Sequence, residues 1–119
     1  MKGYSIFSET IVDMTWLDVE DAARKGAIML APLGVIEQHG PHLPLGTDIY
    51  AATLMCSLIK RELGKRGIMS VIAPPYYFGM NETTGMFPGS ISIRSASMVS
   101  VLSDLRSTIR TMGLNASFS

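Results

Sequence analysis

The sequence predicts an α/β fold built on a mainly parallel sheet, and two patterns support this. Short apolar runs without polar alternation, typical of strands covered on both faces, alternate with longer segments whose apolar residues recur every three or four positions, as on a helix. Elements that alternate in this way form parallel sheets with right-handed crossovers. The chain of 119 residues is 47% hydrophobic and can bury a core, so we expect a single domain over residues 1–119.

The first helix and the first strand are predicted from short local signals. Thr15 followed three residues later by Asp18 resembles a capping box and indicates that a helix begins at Trp16. Acidic residues early in this segment and basic residues late in it suit the helix dipole, so we predict a helix over residues 16–25. The apolar run 27–31 that follows is predicted to be a buried strand, ended by Pro32.

The second and third helices are predicted from apolar periodicity. From Ile49 to Leu63 the apolar positions step by three and four, with Thr47 or Asp48 available as a cap and Gly64 as the end. A similar stripe predicts a helix over residues 98–112, with Ser95 or Ser97 as its cap and Gly113 at its end. Between these helices, residues 70–73 are predicted to form a buried strand and residues 91–93 a third, short strand.

The C-terminal end of the sequence is unexpected for this fold. A crossover unit would normally deliver a further strand after its helix. Only residues 114–119 follow the third helix, so we expect the domain to be truncated there.

Composition excludes several classes of function. Ten basic residues cancel ten acidic ones, and no basic stripe with interleaved aromatics is present, so nucleic acid is not an expected partner. No apolar run approaches the roughly 20 residues of a membrane helix, and residues 1–10 lack the apolar core of a signal peptide. Cys56 is the only cysteine. A lone cysteine suits a reducing compartment, so we expect a cytoplasmic protein with no membrane association.

Three polar residues after the first strand could bind a metal. Glu37 and His39 are two apart, so an extended backbone would project both to the same side, and Asp48 follows at the start of the second helix. In open α/β sheets, ligands bind beyond the carboxyl ends of the strands, where this segment must lie. Glutamate, histidine and aspartate are ligands of Zn²⁺ and Mn²⁺ hydrolytic sites. All three are also ordinary loop residues, and Asp48 alone could be a helix cap, so spacing leaves both interpretations open.

A longer stretch around these residues resembles a known family. Residues 32–48, PLGVIEQHGPHLPLGTD, are similar to the hallmark segment of the creatininase, or creatinine amidohydrolase, family. A second, weaker similarity is FPGSISI at residues 87–93, where Ser90 stands in place of the family's threonine. The resemblance extends in length and element order over most of the chain, and it corresponds to the N-terminal half of the family.

The resemblance implies a three-layer α/β/α sandwich, usually assembled as a homohexamer, with two divalent metals at the ends of the parallel strands. By this resemblance Glu37 holds one metal, His39 holds the other and Asp48 bridges them, with Zn²⁺ or Mn²⁺ as the expected ions. The implied reaction is hydrolysis of a non-peptide C–N bond in a small cyclic amide or formamide-type substrate. No catalytic residue beyond these ligands is assigned.

The sequence also departs from the family pattern. Family members supply further histidine and acidic ligands from a later Asn-Gly-His segment, and no such segment occurs in these 119 residues. Two alternatives to an active hydrolase therefore stay open. The chain could be an inactive remnant that keeps the fold and assembly surfaces, or one piece of a longer gene product.

Other candidate residues have simpler explanations. His42 lies three residues from His39 but is expected to be an ordinary polar loop residue. Cys56 falls on the apolar stripe of the second helix and is expected in the core. Residues 87–90 have proline and glycine placed for a type II turn. Residues 76–78, three aromatics, could line a substrate cleft or cover a core edge or subunit interface.

Overall fold

The structure is a computed structural model that describes residues 5–118, with side chains described for residues 5–115. Met1–Tyr4, part of the segment tested above for a signal peptide, and Ser119 lie outside these residues. After a single 3-10 turn at Ile11–Asp13, the elements are α1 (Trp16–Arg24), β1 (Ile28–Ala31), α2 (Thr47–Lys65), β2 (Ser70–Ile72), α3 (Ser95–Thr111) and β3 (Asn115–Phe118). Within this part of the chain, no helix has both the length and the apolar character needed to cross a membrane.

The sheet has β1 at its centre. Its strand order is β2-β1-β3, and β1 pairs in parallel with both neighbours. Met29 lies opposite Val71 on one side and Ala116 on the other. The chain therefore steps from β1 to one edge through α2, and then back past β1 to the other edge through α3. Because parallel crossovers are right-handed, this reversal places α2 and α3 on opposite faces of the sheet.

Two apolar clusters show that both faces of the sheet are covered. On one face, Met29 and Val71 pack with Ala22 of α1, Ile109 of α3 and Leu114. On the other face the buried cluster consists of Leu30, Cys56 and Ile72, against which Ile59 and Leu63 of α2 pack. The three-layer α/β/α sandwich with a parallel sheet is therefore confirmed. Cys56 is fully buried, as its place on the apolar stripe predicted.

Helix α1 begins as the sequence predicts. The Thr15 hydroxyl accepts from the Asp18 backbone N–H at 3.2 Å, and the Asp18 carboxylate accepts from the Thr15 backbone N–H at 2.9 Å. These reciprocal bonds satisfy two backbone groups that the helix itself leaves unpaired. The helix ends at Arg24, with Lys25 as its C-cap.

The predicted caps of the other two helices are wrong. α2 begins at Thr47 with Gly46 at its N-cap position, and α3 begins at Ser95 with Arg94 in that position, and neither helix has a side-chain cap. The Thr47 hydroxyl instead donates to the Pro44 carbonyl at 2.6 Å.

The predicted end of α2 at Gly64 also differs. The helix continues to Lys65 and stops before Gly67, whose φ of 76° suits glycine. The predicted strands need smaller adjustments, because residues 27 and 73 lie just outside β1 and β2.

Two predictions about the strands are corrected. Residues 91–93 are not a sheet strand, because their backbone pairs with loops: Ile91 N–H donates to Ile36 O and Ile93 N–H to Gly79 O, each at 2.9 Å. The third strand is β3, formed by Asn115–Phe118 directly after α3. The sequence predicts no strand in residues 114–119, but four of these residues form β3.

Truncation of a methionine should affect stability strongly at the buried Met29 of β1 and very little at the exposed Met86. We expect Met29→Ala to lower the free energy of unfolding by about 2–5 kcal/mol, because Met29 is 1% exposed and its truncation leaves a cavity. Met86→Ala is the matched control. Met86 is 82% exposed, so we expect a change within about 0.5 kcal/mol. Urea unfolding followed by circular dichroism measures both, and equal effects would contradict the described core.

Candidate metal centre

The candidate site lies where the loops after β1 and β2 meet. These two loops continue the strand pairing beyond the sheet: Tyr76 N–H donates to Pro32 O and Gly34 N–H donates to Tyr76 O, each at 3.0 Å. Both loops leave the carboxyl ends of parallel strands, which is the edge where open α/β sheets bind ligands. The backbone bonds fix the two loops relative to each other before any side chain is considered.

The loop after β1 folds back so that its end meets its beginning. Glu37 N–H donates to Leu45 O at 3.3 Å, and Gly40, with a φ of 80°, allows the chain to reverse between them. The first turn of α2 follows at once and carries Asp48. The negative charge of Asp48 is favourable in that position because the N-terminus of a helix carries partial positive charge.

Gly34 allows the closest approach between the strand end and α2. A β-carbon at residue 34 would lie 3.0 Å from the backbone nitrogen of Ile49 and 3.1 Å from the carbonyl carbon of Asp48. Both neighbours are backbone atoms of the first turn of α2 and cannot rotate away. A side chain at residue 34 would therefore push this turn, and Asp48 with it, away from the loop.

Glu37, His39 and Asp48 converge at this point. Each offers one ligand atom, and these atoms all lie within 4.8 Å of one another. All three residues are partly buried. Within residues 5–118 they form the only group of three or more histidine, cysteine, aspartate or glutamate side chains with this geometry. The predicted convergence of the three residues is thus observed.

Two hydrogen-bond acceptors hold the His39 ring. Its Nδ1 lies 3.0 Å from the backbone oxygen of Glu37, and its Nε2 lies 3.0 Å from Oδ1 of Asp48. A backbone oxygen can only accept, so Nδ1 must carry a proton. In the neutral ring, Nε2 then has its lone pair directed at Asp48. Histidine ligands of metals are commonly oriented in this way, by donating from one ring nitrogen while the other binds the ion.

The same two contacts favour the protonated ring when no cation is bound. The Glu37 carbonyl oxygen, and after it the Asp48 carboxylate, raise the pKa of His39 above its ordinary value. Both accept hydrogen bonds that only the doubly protonated imidazolium can donate at once. The space between Nε2 and Oδ1 is therefore favourable for positive charge.

The dimensions of the cluster suit divalent cations. Zinc binds histidine nitrogen and carboxylate oxygen at about 2.0–2.2 Å, so two ligand atoms on one tetrahedral ion are at most about 3.6 Å apart. Small side-chain rotations would bring the present spread of 4.8 Å within this limit. The donor set of one imidazole and two carboxylates is of a kind that hydrolytic zinc and manganese sites use.

Three residues of the second loop contribute to the site, and two of them, Asn81 and Thr84, were missed in the sequence analysis. The Thr84 hydroxyl donates to Oε2 of Glu37 at 2.7 Å, and Gln38 N–H donates to the Ser90 hydroxyl at 3.0 Å. The side-chain amide of Asn81 donates to the carbonyl oxygens of Ile36, at 3.4 Å, and Ile91, at 2.6 Å. Ser90 lies within the FPGSISI segment, which was the one available signal. Asn81 and Thr84 had none.

Two of the remaining candidates, His42 and residues 87–90, take the simpler roles. His42 is exposed and is not part of the cluster. Residues 87–90 form the predicted turn, in which Ser90 N–H donates to Phe87 O at 3.1 Å and Gly89 has a φ of 88°. The aromatic rings of residues 76–78 contact one another: Tyr76 meets Phe78 edge-on with ring centres 6.5 Å apart, and Tyr77 lies 4.7 Å from Phe78.

Comparison with known proteins identifies the family. The model of the creatininase family, described as creatinine amidohydrolase, matches residues 12–118. The chain belongs to the creatininase family. The resemblance noted for residues 32–48 is thereby confirmed, and the match covers every helix and strand described above.

The curated relatives of this creatininase-family chain differ in activity. It is 38% identical over 72 residues to a mycofactocin precursor peptide peptidase of Mycolicibacterium smegmatis, covering 60% of this chain and 29% of that protein. It is 23% identical over 99 residues to a creatinine amidohydrolase of Pseudomonas putida, covering 78% and 36%. The chain therefore spans about a third of the length of these relatives.

Solved creatininase structures share the fold. One, described as the manganese form, superposes with a TM-score of 0.83 at 21% identity and covers 93% of this chain and 44% of its own. A mutant creatininase of the Zn-Zn type gives a TM-score of 0.82 at 20% identity, covering 98% and 45%. At these identities the likeness establishes the fold alone.

The contacts of His39 predict its titration in the metal-free protein. We expect its pKa to lie above 6.5 and to fall toward that value in Asp48→Asn, which loses the carboxylate. Because the folded pKa exceeds the unfolded one, protonated His39 stabilises the fold below the unfolded pKa, and this contribution is lost as pH rises through the folded pKa. NMR titration of the ring protons in the presence of a chelator measures the His39 pKa in the wild type and in Asp48→Asn. The spectrum of His42→Ala assigns the signals of the two histidines. A pKa below 6.5 would contradict these contacts.

Proposed function

We propose that this chain contributes the first ligands of a two-metal amide hydrolase centre. In this proposal Glu37 holds one divalent ion, His39 holds the other and Asp48 bridges them, with Zn²⁺ or Mn²⁺ as the ions. The observation that carries the proposal is the convergence of the three ligand atoms within 4.8 Å at the carboxyl edge of the sheet. Membership of the creatininase family and fold neighbours described as manganese and zinc forms support it.

Bound divalent cations would lower the pKa of water and polarise a substrate carbonyl, which is the chemistry that amide hydrolysis needs. The residues of this chain prepare the site for them. Nδ1 of His39 donates to the Glu37 carbonyl oxygen, so Nε2 is the ring nitrogen that would hold a cation. Asp48 already lies 3.0 Å from that nitrogen. Two ligands on one tetrahedral zinc are about 3.3 Å apart, so little movement is required.

The surface beside Asp48 supports an uncharged substrate. A shallow, open depression of about 410 Å³ lies next to this carboxylate, lined by Leu33, Gly34, Val35, Asp48, Ala51, Tyr76 and Met98. Asp48 is the only charged side chain among these lining residues. Clefts with mostly apolar walls and few polar groups bind small organic molecules. This agrees with a small cyclic amide or formamide-type substrate.

Assembly and location remain proposals of the same kind. Tyr50, Leu54 and Leu58 recur every fourth residue on α2, and each is about half exposed. Such an apolar stripe on a helix surface is typical of a subunit interface and supports a homo-oligomer, for which the family resemblance implies a hexamer. The cytoplasmic location stays a prediction from the single cysteine.

A second candidate function is an inactive domain that keeps the fold and the assembly surfaces. One observation favours it: residues 5–118 contain one cluster with three ligand residues, whereas a single catalytic zinc usually takes three protein ligands by itself. Two ions would then be undersupplied by these residues alone. Metal binding and amidase activity distinguish the two candidates.

Metal binding should depend on His39 and be independent of His42. We expect the purified chain, stripped with a chelator, to bind Zn²⁺ or Mn²⁺ in isothermal titration. His39→Ala should weaken binding at least about 10-fold, because the imidazole ligand is lost. His42→Ala is the matched control, since it removes the same side chain from the same loop outside the cluster. Equal binding by the wild type and His39→Ala would refute the proposed site.

Activity separates the hydrolase from the inactive domain. If the chain is a complete catalyst, the wild type with added Zn²⁺ or Mn²⁺ should hydrolyse a member of a panel containing creatinine, formamide compounds and short peptides. Glu37→Gln should lose that activity, because one proposed ligand has lost its charge. Liquid chromatography with mass spectrometry detects the products. Metal binding without turnover of any panel member would instead support the inactive domain.

A further inference from the structure

Thr84 contacts one oxygen of the Glu37 carboxylate from a distant part of the chain. Its hydroxyl donates to Oε2 at 2.7 Å across a separation of 47 residues. Hydrogen bonds to an ionised acceptor are stronger than those between neutral groups. Thr84 is partly buried, whereas its neighbour Thr83 is exposed. Of these two adjacent threonines, only Thr84 has a hydrogen bond to the cluster among the described contacts.

The backbone around Thr84 is fixed by the residues on either side of Glu37. Ile91 N–H and the Asn81 amide both donate to the carbonyl oxygen of Ile36, and Gln38 N–H donates to the Ser90 hydroxyl. Asn81 is 5% exposed, so its hydrogen bonds are shielded from water. These contacts hold the loop that carries Thr84 against the backbone of residues 36–38.

The turn that carries Thr84 is also tight. A β-carbon at Gly85 would lie 2.7 Å from the carbonyl oxygen of Asn81, which leaves room only for glycine in this conformation. The backbone that carries Thr84 is therefore restricted by this tight turn. A donor held in this way restricts the carboxylate more than a donor on a mobile loop would.

We propose that Thr84 is the positioning residue for Glu37, holding one carboxylate oxygen so that the other is presented to a divalent cation. This inference rests on the proposed metal centre. A free glutamate side chain on a loop samples several rotamers, and these must be restricted when it binds an ion. Thr84 restricts them in advance. It would act through Glu37 and needs no contact with the ion or with substrate.

The test compares zinc binding by the full chain and three variants after removal of metal with a chelator. We expect Thr84→Val, which keeps the shape but loses the hydroxyl, to weaken zinc affinity about 10–100-fold with unchanged stoichiometry. Thr84→Ser restores a hydroxyl and should bind within about threefold of the wild type. Thr83→Val is the control at the exposed neighbour and should bind like the wild type.

Thermal unfolding in chelator separates positioning from a purely structural role. If Thr84→Val melts at a lower temperature but binds zinc with wild-type affinity, Thr84 only stabilises the loop and the inference is overturned. If Thr84→Val does not fold, Thr84→Ala replaces it in the test. Thr84→Ser, which keeps a hydroxyl, must then bind zinc more tightly than Thr84→Ala. If the wild type does not bind zinc, the proposed metal centre is overturned. If zinc affinity is the same with and without the Thr84 hydroxyl, only this inference is overturned.

Discussion

Burial of β1 on both faces is the constraint on which the rest of the structure depends. Met29 and Leu30 point to opposite apolar clusters, so the strand has no face on which a charged side chain could be solvated. Polar chemistry must therefore begin where the strand ends. Helix α2 has to run back across one face of the sheet before the parallel strand β2 can begin. Its first turn, with Asp48, therefore lies at the same edge. The convergence of Glu37, His39 and Asp48 follows from covering the strand.

Much of this arrangement could be predicted from the sequence because the signals were local. The capping box at Thr15, the apolar runs of β1 and β2 and the stripe that buries Cys56 each involve residues within a turn or two of one another. Glu37 and His39 could be paired from their spacing alone. The dense family similarity of residues 32–48 added Asp48, which spacing by itself explained equally well as a helix cap.

The failed predictions share a physical cause, which is competition between equally available partners. Thr47 was expected to cap α2, but its hydroxyl reaches the Pro44 carbonyl, and Gly46 occupies the cap position instead. Residues 91–93 have the composition of a strand, yet their N–H groups pair with loop carbonyls. The hydrogen bonds of Asn81 to Ile36 and of Thr84 to Glu37 span 45 and 47 residues. Such long-range pairing of common polar residues leaves no periodic trace in a sequence.

The close packing of Gly34 against α2 has a consequence for redesign. Because a β-carbon at residue 34 would lie only 3.0–3.1 Å from backbone atoms of the first turn of α2, the strand end and Asp48 are already closely packed. Attempts to adapt the proposed metal centre to a smaller ion would find little room on the strand side. Adaptation to a larger ion would have to come through residues 40–46, where the chain reverses and where inserted residues could lift the helix without disturbing the sheet.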